Sequence, residues 1–342
     1  MQNFVNKKNK LLNDQGNLTL PGYSTSLVFN YNRNDIKVSK LKIKEWDYYY
    51  IGNSQFGVAL TIADNGYMGL ISASLLDFKS KWQNTTSIMT ILPMGKTNLP
   101  KTSEIGDVSF KNKRVSIAFK NNGIERHLHC KMKKFYQDKE LNVNIILKDF
   151  PQESMVIATP FDKPKHFYYN QKINCMKAEG IAKIGDKTYS FNTDDSYGTL
   201  DWGRGVWTYK NTWYWGSLST NINGEPFGFN IGYGFGDTSS ATENMIFYKG
   251  KAHKLNNIVF NIPKKQGKDD FLSPWTFTAD DNRLNMTFEP ILNRKAITNL
   301  GLLCSKQNQV FGYFSGKAIL DDNTEITIDK KLGFAEKVFN KW

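Results

Sequence analysis

The chain of 342 residues has a mass of 39.2 kDa, a formal net charge of +13 and 40% hydrophobic residues. The hydrophobic residues are numerous enough to form the core of one large or two medium domains, and they exclude a mainly disordered chain. No run of about 18 apolar residues is present, so no membrane-spanning helix is predicted. Residues 1–20 lack the apolar run of a secretory signal, and we expect a cytoplasmic protein.

The charge and the cysteines narrow the expected partners. Residues 1–150 hold 22 Lys+Arg against 12 Asp+Glu, and the remainder holds 23 against 20. Only six cations are arginine, the usual residue for bidentate base contacts, so nucleic acid is not expected. The basic first half could instead attract an anionic ligand or contact an anionic membrane peripherally. Three scattered cysteines favour free thiols over disulfides or a zinc site.

Alternating apolar and polar residues predict antiparallel strands in the first half of the chain. The pattern is clear over Val115–Phe119, Ile124–Met132 and Leu141–Leu147. Asn122-Gly123 and Gln137-Asp138 separate these runs and predict hairpin turns. The first half is therefore expected to contain a meander of strands.

The second half continues the same pattern. Further hairpin turns are predicted where short polar or glycine-containing pairs and triplets separate apolar runs: Gly185-Asp186, Asn223-Gly224, Lys249-Gly250, Asp280–Asn282 and Asp321–Asn323. Only Leu76–Thr86 is predicted to form a short helix. Because no strands alternate with long helices, the sequence predicts an all-β, antiparallel protein.

Chain length constrains the arrangement of these strands. A meander of about 16 or more strands cannot stay one open sheet, so it must close or split. We predict two consecutive barrels or strongly curved sheets. The predicted divisions are a lead segment over residues 1–20, a first domain over 21–197 and a second over 198–342. The polar stretch Phe191–Leu200 is the expected seam.

One segment concentrates unusual residues. Four of the eight tryptophans lie between Trp202 and Trp215, within the run that begins Asp201-Trp202-Gly203-Arg204-Gly205. Asp201 could protonate an alkene or activate water while Arg204 tunes its charge. Alternatively, the two form a structural ion pair in a bulged strand. The sequence alone leaves both interpretations open.

A second candidate carboxylate follows a glycine-rich strand. Glu243 lies after Gly232–Gly236, where missing side chains allow close approach of a ligand or another backbone; a role in stabilising a turn is the alternative. Trp213 and Trp215 should face one side of a strand and Tyr214 the other. The residues predicted to contact substrate are Trp202, Trp207, Tyr209, Trp213, Trp215, Asn230, Tyr233, Asn244 and Trp275.

Several site classes are not supported. Gly232–Gly236 has the spacing G-x-G-x-G among strands, which is not a dinucleotide fingerprint. His127 and His129 share a strand face, but no third ligand lies near them in sequence, so no metal is predicted. We expect no cofactor.

The motifs DWGRG-x-W (201–207) and ATEN (241–244) resemble the bacterial family catalogued as domain of unknown function 2804, over nearly the whole chain. Asp201-Trp202-Gly203 is also distantly similar to lipocalin-related double-barrel proteins, which include carotenoid hydratases, tocopherol cyclase and certain pericyclases. That likeness implies lipocalin-like, calycin-type barrels with a tryptophan-lined cavity for an apolar substrate. The histidine common beside the aspartate in those relatives is absent here.

Three functions follow as hypotheses. The first is a cofactor-independent enzyme that hydrates, isomerises or cyclises a lipid-like or isoprenoid-like molecule, with Asp201, Arg204 and Glu243 as catalytic residues. The second is a carrier that binds a small apolar molecule without turnover. The third and weakest is a carbohydrate-active protein with an open aromatic cleft. The oligomeric state is not predicted.

Overall fold

A computed structural model describes residues 2–300 and 303–341 of the chain, and β-strands dominate these residues. Besides two 3₁₀ turns at Arg33–Asp35 and Lys40–Lys42, the regular elements in the described part are strands. They are β1 (Asn9–Lys10), β2 (Gly22–Ser24), β3 (Phe29–Asn30), β4 (Lys44–Gly52), β5 (Phe56–Asp64), β6 (Met68–Asp77), β7 (Trp82–Ile91), β8 (Val108–Lys111), β9 (Val115–Asn121), β10 (Arg126–Tyr136), β11 (Lys139–Lys148), β12 (Met155–Pro160), β13 (Phe167–Ile184), β14 (Lys187–Phe191), β15 (Tyr197–Val206), β16 (Lys210–Ile222), β17 (Glu225–Tyr233), β18 (Met245–Tyr248), β19 (Lys251–Lys254), β20 (Ile258–Asn261), β21 (Lys264–Lys265), β22 (Lys268–Asp269), β23 (Trp275–Ala279), β24 (Leu284–Leu300), β25 (Leu303–Ile319) and β26 (Glu325–Lys341).

The strands form two large antiparallel sheets, which confirms the predicted fold class. The first sheet has 13 strands in the order β7-β6-β5-β4-β15-β13-β11-β10-β9-β8, with β12 and β14 paired to β13 and β2 paired to β12. The second has nine strands in the order β19-β18-β17-β16-β26-β25-β24-β23-β20. Each sheet is strongly curved into a half-barrel. Curvature lets each sheet enclose a core on its concave side.

The predicted hairpins are present because their turn residues accept left-handed backbone. Gln137 and Asp138 have φ of 47° and 61° between β10 and β11, and Asn223 has φ of 55° between β16 and β17. Such values suit the tight turns that match strand twist. The other predicted turns likewise join paired strands.

The predicted helix at Leu76–Thr86 is wrong. β6 continues to Asp77 and pairs with β7 from Trp82 onward. The misleading signal is the apolar pair Leu75 and Leu76: the first packs in the core of the first sheet and the second on its other face. A strand buried on both faces loses its alternation and resembles a buried helix in sequence.

The DWGRG segment lies in the first sheet, although the sequence suggested the second. It forms β15, which pairs with β13 on one side and β4 on the other. The polar residues expected to be a seam form a turn closed by the hydrogen bond from Ser196 N to Asn192 O, 2.9 Å. The chain crosses to the second sheet later, between Val206 and Lys210. The lead segment contributes Val5 and Leu11 to the first core.

Strand alternation separates two cores from a contact between the sheets. Tyr49 and Ile51 face the core of the first sheet, whereas Tyr48 on the same strand faces the second sheet. On β16, Tyr214 packs in the second core and Trp215 faces the first sheet. The outward faces of the central strands therefore pack together, and we call this region the intersheet contact.

Candidate functional site

The intersheet contact contains a buried group of one lysine and two carboxyl groups. Lys172 of β13 and Asp201 of β15 are cross-strand partners, with Lys172 Nζ 2.9 Å from Asp201 Oδ1. Glu243, in the loop before β18, places Oε2 3.9 Å from the same Nζ. Asn170 Nδ2 donates to Asp201 Oδ1 at 2.6 Å. The two sheets thus contribute opposite sides of one polar cluster.

Aromatic and amide groups hold this cluster in place. Lys172 Nζ lies 4.3 Å from the ring centroid of Trp215, a cation–π distance. The indole of Trp215 donates to Asn230 Oδ1 at 2.7 Å. Asn230 Nδ2 donates in turn to the backbone oxygen of Glu243, 2.7 Å, and to its carboxyl Oε2, 3.3 Å. The chain of contacts therefore orients Glu243 toward Lys172.

Burial changes the acidity of Glu243 relative to an exposed glutamate. Desolvation raises the pKa of Glu243, opposed by the charge of Lys172 and the hydrogen bond from Asn230. Gly232 provides the space: a Cβ there would lie 2.7 Å from Glu243 Oε1. The glycine-rich strand thus allows a side chain to approach closely, as the sequence suggested.

A third carboxyl group, which sequence reasoning did not select, lies on β26. Glu336 accepts hydrogen bonds from Trp213 Nε1 at 3.2 Å and from Gln307 Nε2 at 3.3 Å. Burial raises the pKa of Glu336 to about 7, while the charges of Arg294 and Lys172 oppose that rise. A carboxyl group with this pKa can give or take a proton near neutral pH.

We expect Glu336→Gln to flatten the pH dependence of stability. A carboxyl pKa raised by folding means that the folded state holds the proton more tightly than the unfolded state, so stability falls as pH rises from about 4.5 to 7. A tenfold tighter hold on the proton corresponds to about 1.4 kcal/mol of unfolding free energy. In urea unfolding from pH 4.5 to 8, the unfolding free energy of the variant should increase relative to that of wild type as the pH rises. Equal slopes for the two proteins would contradict the assignment.

Three buried amide oxygens at the contact have no partner among the described residues: Asn174 Oδ1 and two others. Asn170 Oδ1 is one, although the Asn170 amide nitrogen is bonded to Asp201. Gln309 Oε1 is the other, and its amide nitrogen donates to the Tyr48 hydroxyl at 3.4 Å. Unpaired buried polar atoms are costly, so a bound ligand or water would stabilise these positions.

The cluster borders a wall of aromatic rings. Trp46 stacks on Tyr168 at 6.1 Å, and Phe235 contacts Tyr168, Trp207 and Trp213 at 4.8 to 5.2 Å. The side chains of Asp201 and Glu243 keep 11% and 10% of their surface exposed. The carboxyl groups are therefore nearly enclosed but not sealed, and the surface beside them is apolar.

The predicted pairing of Asp201 with Arg204 is wrong. Residues three apart on a strand point to opposite faces, and the motif is not bulged. Arg204 faces the first core, where Nη2 lies 3.0 Å from Asp47 Oδ1 and the guanidinium lies 4.1 Å from the ring of Trp202. Gly203 faces the contact, where a Cβ would lie 1.9 Å from the ring of Trp46. Lys172 is the cation that pairs with Asp201.

The other residues predicted to contact substrate divide into two groups. Trp207, Trp213, Trp215 and Asn230 lie at the intersheet contact; Trp213 and Trp215 share a side opposite Tyr214, as predicted.

The remaining predicted residues lie elsewhere. Trp202 and Trp275 are buried in the two cores, and Tyr233 stacks on Tyr214 at 4.4 Å. Asn244 accepts from Gly232 N and donates to Asn256 O, a structural role. Tyr209 is 49% exposed.

Lys172, Asn170 and Tyr168 were also missed by sequence reasoning. They lie on β13, where a long run from Phe167 to Met176 is buried on both faces, so alternation carries no information. Glu336 had a weak signal, because it shares its strand face with Phe334 and Val338. A charged residue among inward-facing apolar residues marks a buried polar site.

In residues 2–300 and 303–341, no group of three His, Cys, Asp or Glu side chains is placed to hold an ion. His127 and His129 stack at 6.4 Å beside an open groove of about 770 Å³. Among the described residues, no helix has the length and apolarity needed to cross a bilayer.

Comparison with known proteins supports the fold and a family. The family model described as Domain of unknown function (DUF2804) matches residues 2–342. Kievitone hydratase from Nectria haematococca is similar in structure, with a TM-score of 0.53, 11% identity and 98% of each chain covered. An AttH-like protein from Nitrosomonas europaea has a TM-score of 0.55 and 8% identity, covering 90% of this chain and 93% of its own. No curated protein sequence matches the chain.

Proposed function

Because the chain belongs to the DUF2804 family, whose description names no activity, we propose its function from the site itself. We propose an enzyme that needs no cofactor and transfers protons to and from an apolar, lipid-like molecule bound at the intersheet contact. The observation that carries the proposal is the nearly enclosed group of Lys172, Asp201 and Glu243 beside an aromatic wall. A buried carboxyl group with a raised pKa beside apolar surface, as Glu243 is, is typical of an acid–base site.

The residues divide into acid and base roles. Glu243, with its raised pKa, donates a proton to a carbon of a double bond in the substrate. The resulting cation lies against the ring of Trp213, which stabilises positive charge, while the ring of Trp215 is in contact with Lys172. Asp201, held by Lys172, then takes a proton from an attacking water or from a neighbouring carbon. The first outcome is hydration and the second is isomerisation. If a second double bond attacks instead, the new cation loses a proton to Asp201 and the product is cyclised.

Two further points favour this proposal. The fold is shared with a protein named as a hydratase, which fits proton-driven addition of water. The aromatic rings belong to a mostly buried apolar cluster, which suits an apolar molecule better than a sugar, because the hydroxyl groups of a sugar would need polar partners there.

The first test is whether the protein holds an apolar molecule at this place. Protein purified under native conditions is extracted with organic solvent and the extract is analysed by mass spectrometry, for wild type, Trp213→Leu and Trp82→Leu. Trp82 is the matched control, since it packs on Tyr136 in the first sheet, away from the contact.

We expect a stoichiometric apolar molecule in wild type and in Trp82→Leu, and an affinity at least about tenfold lower in Trp213→Leu, as for a loss of about 1.4 kcal/mol. An empty wild-type protein, or equal loss in both variants, would overturn the proposal. A molecule that binds but is never transformed would make the protein a carrier.

A further inference from the structure

The concave face of the second sheet becomes cationic where its strands extend past the core. Val310 and Ala335 are fully buried, paired and part of the second core. Alternate residues on these strands share that face. Toward the strand ends the same face runs through Lys306 on β25 and through Lys337 and Lys341 on β26.

This extension is a regular grid of three rows across four strands, β24, β25, β26 and β16. The register places Lys295, Asn308, Lys337 and Tyr214 in the first row; Ile297, Lys306, Phe339 and Thr212 in the second; and Asn299, Cys304, Lys341 and Lys210 in the third. Five positions hold lysine, and none holds aspartate or glutamate. We call this grid the lysine face.

The lysines are held together at an energetic cost. Lys210 and Lys341 are direct cross-strand partners, and like charges placed opposite each other destabilise a sheet. Among the described residues only Lys337 of this group has a carboxylate within ion-pair distance, that of Asp269. Lys210, Lys295 and Lys306 are exposed. An anionic partner would relieve this repulsion.

Apolar side chains stand among the lysines. Ile297 is 57% exposed and lies directly opposite Lys306. Phe339 is half-buried, and Lys210 Nζ lies 5.8 Å from its ring. The small β21–β22 hairpin contacts the lysine face through the ion pair of Asp269 with Lys337, and Leu272, in the loop after the hairpin, is 58% exposed. Lysines that alternate with exposed apolar residues suit the headgroup layer of an anionic bilayer.

We propose that the lysine face docks the protein on an anionic lipid membrane. Phosphate headgroups pair with the lysines, and Ile297 enters the apolar boundary. The basic first half is a weaker candidate, because Glu140 and Asp138 lie against Lys131 and Lys134 there. Four strands about 4.8 Å apart give a surface roughly 14 Å wide, enough for several headgroups. This docking is independent of the proposed chemistry, though it would place the protein where lipid-like molecules are found.

The test is co-sedimentation of the full chain with vesicles of phosphatidylcholine containing one quarter phosphatidylglycerol. We expect wild type to bind these vesicles, to bind pure phosphatidylcholine poorly, and to be released by added salt. Lys295→Glu/Lys306→Glu should lower binding at least about tenfold. Lys111→Glu/Lys113→Glu, two exposed lysines on and after β8 with the same charge change, should bind within about twofold of wild type. Lys295→Gln/Lys306→Gln removes the same two positive charges without adding acidic groups, and it should also bind the vesicles more weakly than wild type.

The apolar contribution is tested separately. Ile297→Ser should weaken vesicle binding, whereas Val259→Ser, at a position 52% exposed on β20, should not. Equal effects of the two lysine pairs, no binding of wild type to anionic vesicles, or preferential binding to nucleic acid over vesicles would each overturn the proposal. If wild-type protein binds anionic vesicles but transforms no apolar molecule, that result would count against the proposed chemistry and not against membrane docking.

Discussion

Lys172→Met should be the most damaging single change at the candidate site. Lys172 is 3% exposed and is the cation facing both Asp201 and Glu243. Without it, the nearly enclosed Asp201 carboxyl group loses its ion-pair partner, and Glu243 keeps only the charge of Lys254, which lies beyond ion-pair distance. Removing one partner of a buried pair costs about 3–5 kcal/mol, so we expect that loss in the unfolding free energy, measured by urea denaturation at pH 7.

The chain offers a matched control for this variant. Lys187 also pairs with an aspartate, placing Nζ 2.6 Å from Asp77, but the Lys187 side chain is 60% exposed. Lys187→Met should therefore cost less than about 1 kcal/mol. The double variant Lys172→Met/Asp201→Asn should recover part of the loss because it also removes the unpaired, buried carboxylate of Asp201. Similar costs for Lys172→Met and Lys187→Met would contradict the geometry.

Arg204→Met should destabilise the protein about as strongly, for a different reason. Arg204 is fully buried in the first core and donates to Asp47 Oδ1 at 3.0 Å and to Pro100 O at 2.8 Å. Its removal leaves the buried carboxyl group of Asp47 without its ion-pair partner, whereas Glu45 keeps its ion pair with Arg33. We expect a loss of about 3–5 kcal/mol. Arg204→Lys should recover little of it, since one ammonium cannot reproduce the planar donor set.

The Arg204 variant also separates a structural role from a catalytic one. Arg204 lies on the opposite strand face from Asp201, so folded Arg204→Met protein should retain its apolar molecule. Arg114→Met is the control, because Arg114 is exposed and its side chain donates a 3.4 Å hydrogen bond to Lys134 O, so the change should cost much less. A stable Arg204→Met protein that has lost the bound molecule would show that Arg204 belongs to the site.

Much of the fold could be predicted from local chemistry. Leu128, Cys130 and Met132 alternate with polar residues because one face of β10 is covered and the other meets solvent. Turns such as Asn223-Gly224 give a similarly direct signal. The prediction failed at Leu75-Leu76 and within β15, where both strand faces are buried because two half-barrels pack back to back.

The candidate site was only half predictable for the same reason. Asp201, Glu243, Trp213 and Trp215 stand out as residue types in an unusual segment. Lys172 and Glu336 come from distant strands, and only the pairing of β13 with β15 and of β16 with β26 brings them near. Contacts of such large sequence separation leave no periodic trace in one chain, so the partner of Asp201 could not be read from spacing.

The central claim is that Glu243 transfers protons to a molecule at the intersheet contact, and solvent exchange tests it most directly. Wild type, Glu243→Gln and Glu289→Gln, a control at an exposed position on β24, are incubated in D2O with the molecule extracted from wild type. Its deuterium content is then measured by mass spectrometry. We predict incorporation with wild type and Glu289→Gln, and at least a hundredfold slower incorporation with Glu243→Gln. Equal rates in all three proteins, or no incorporation in any, would contradict the account.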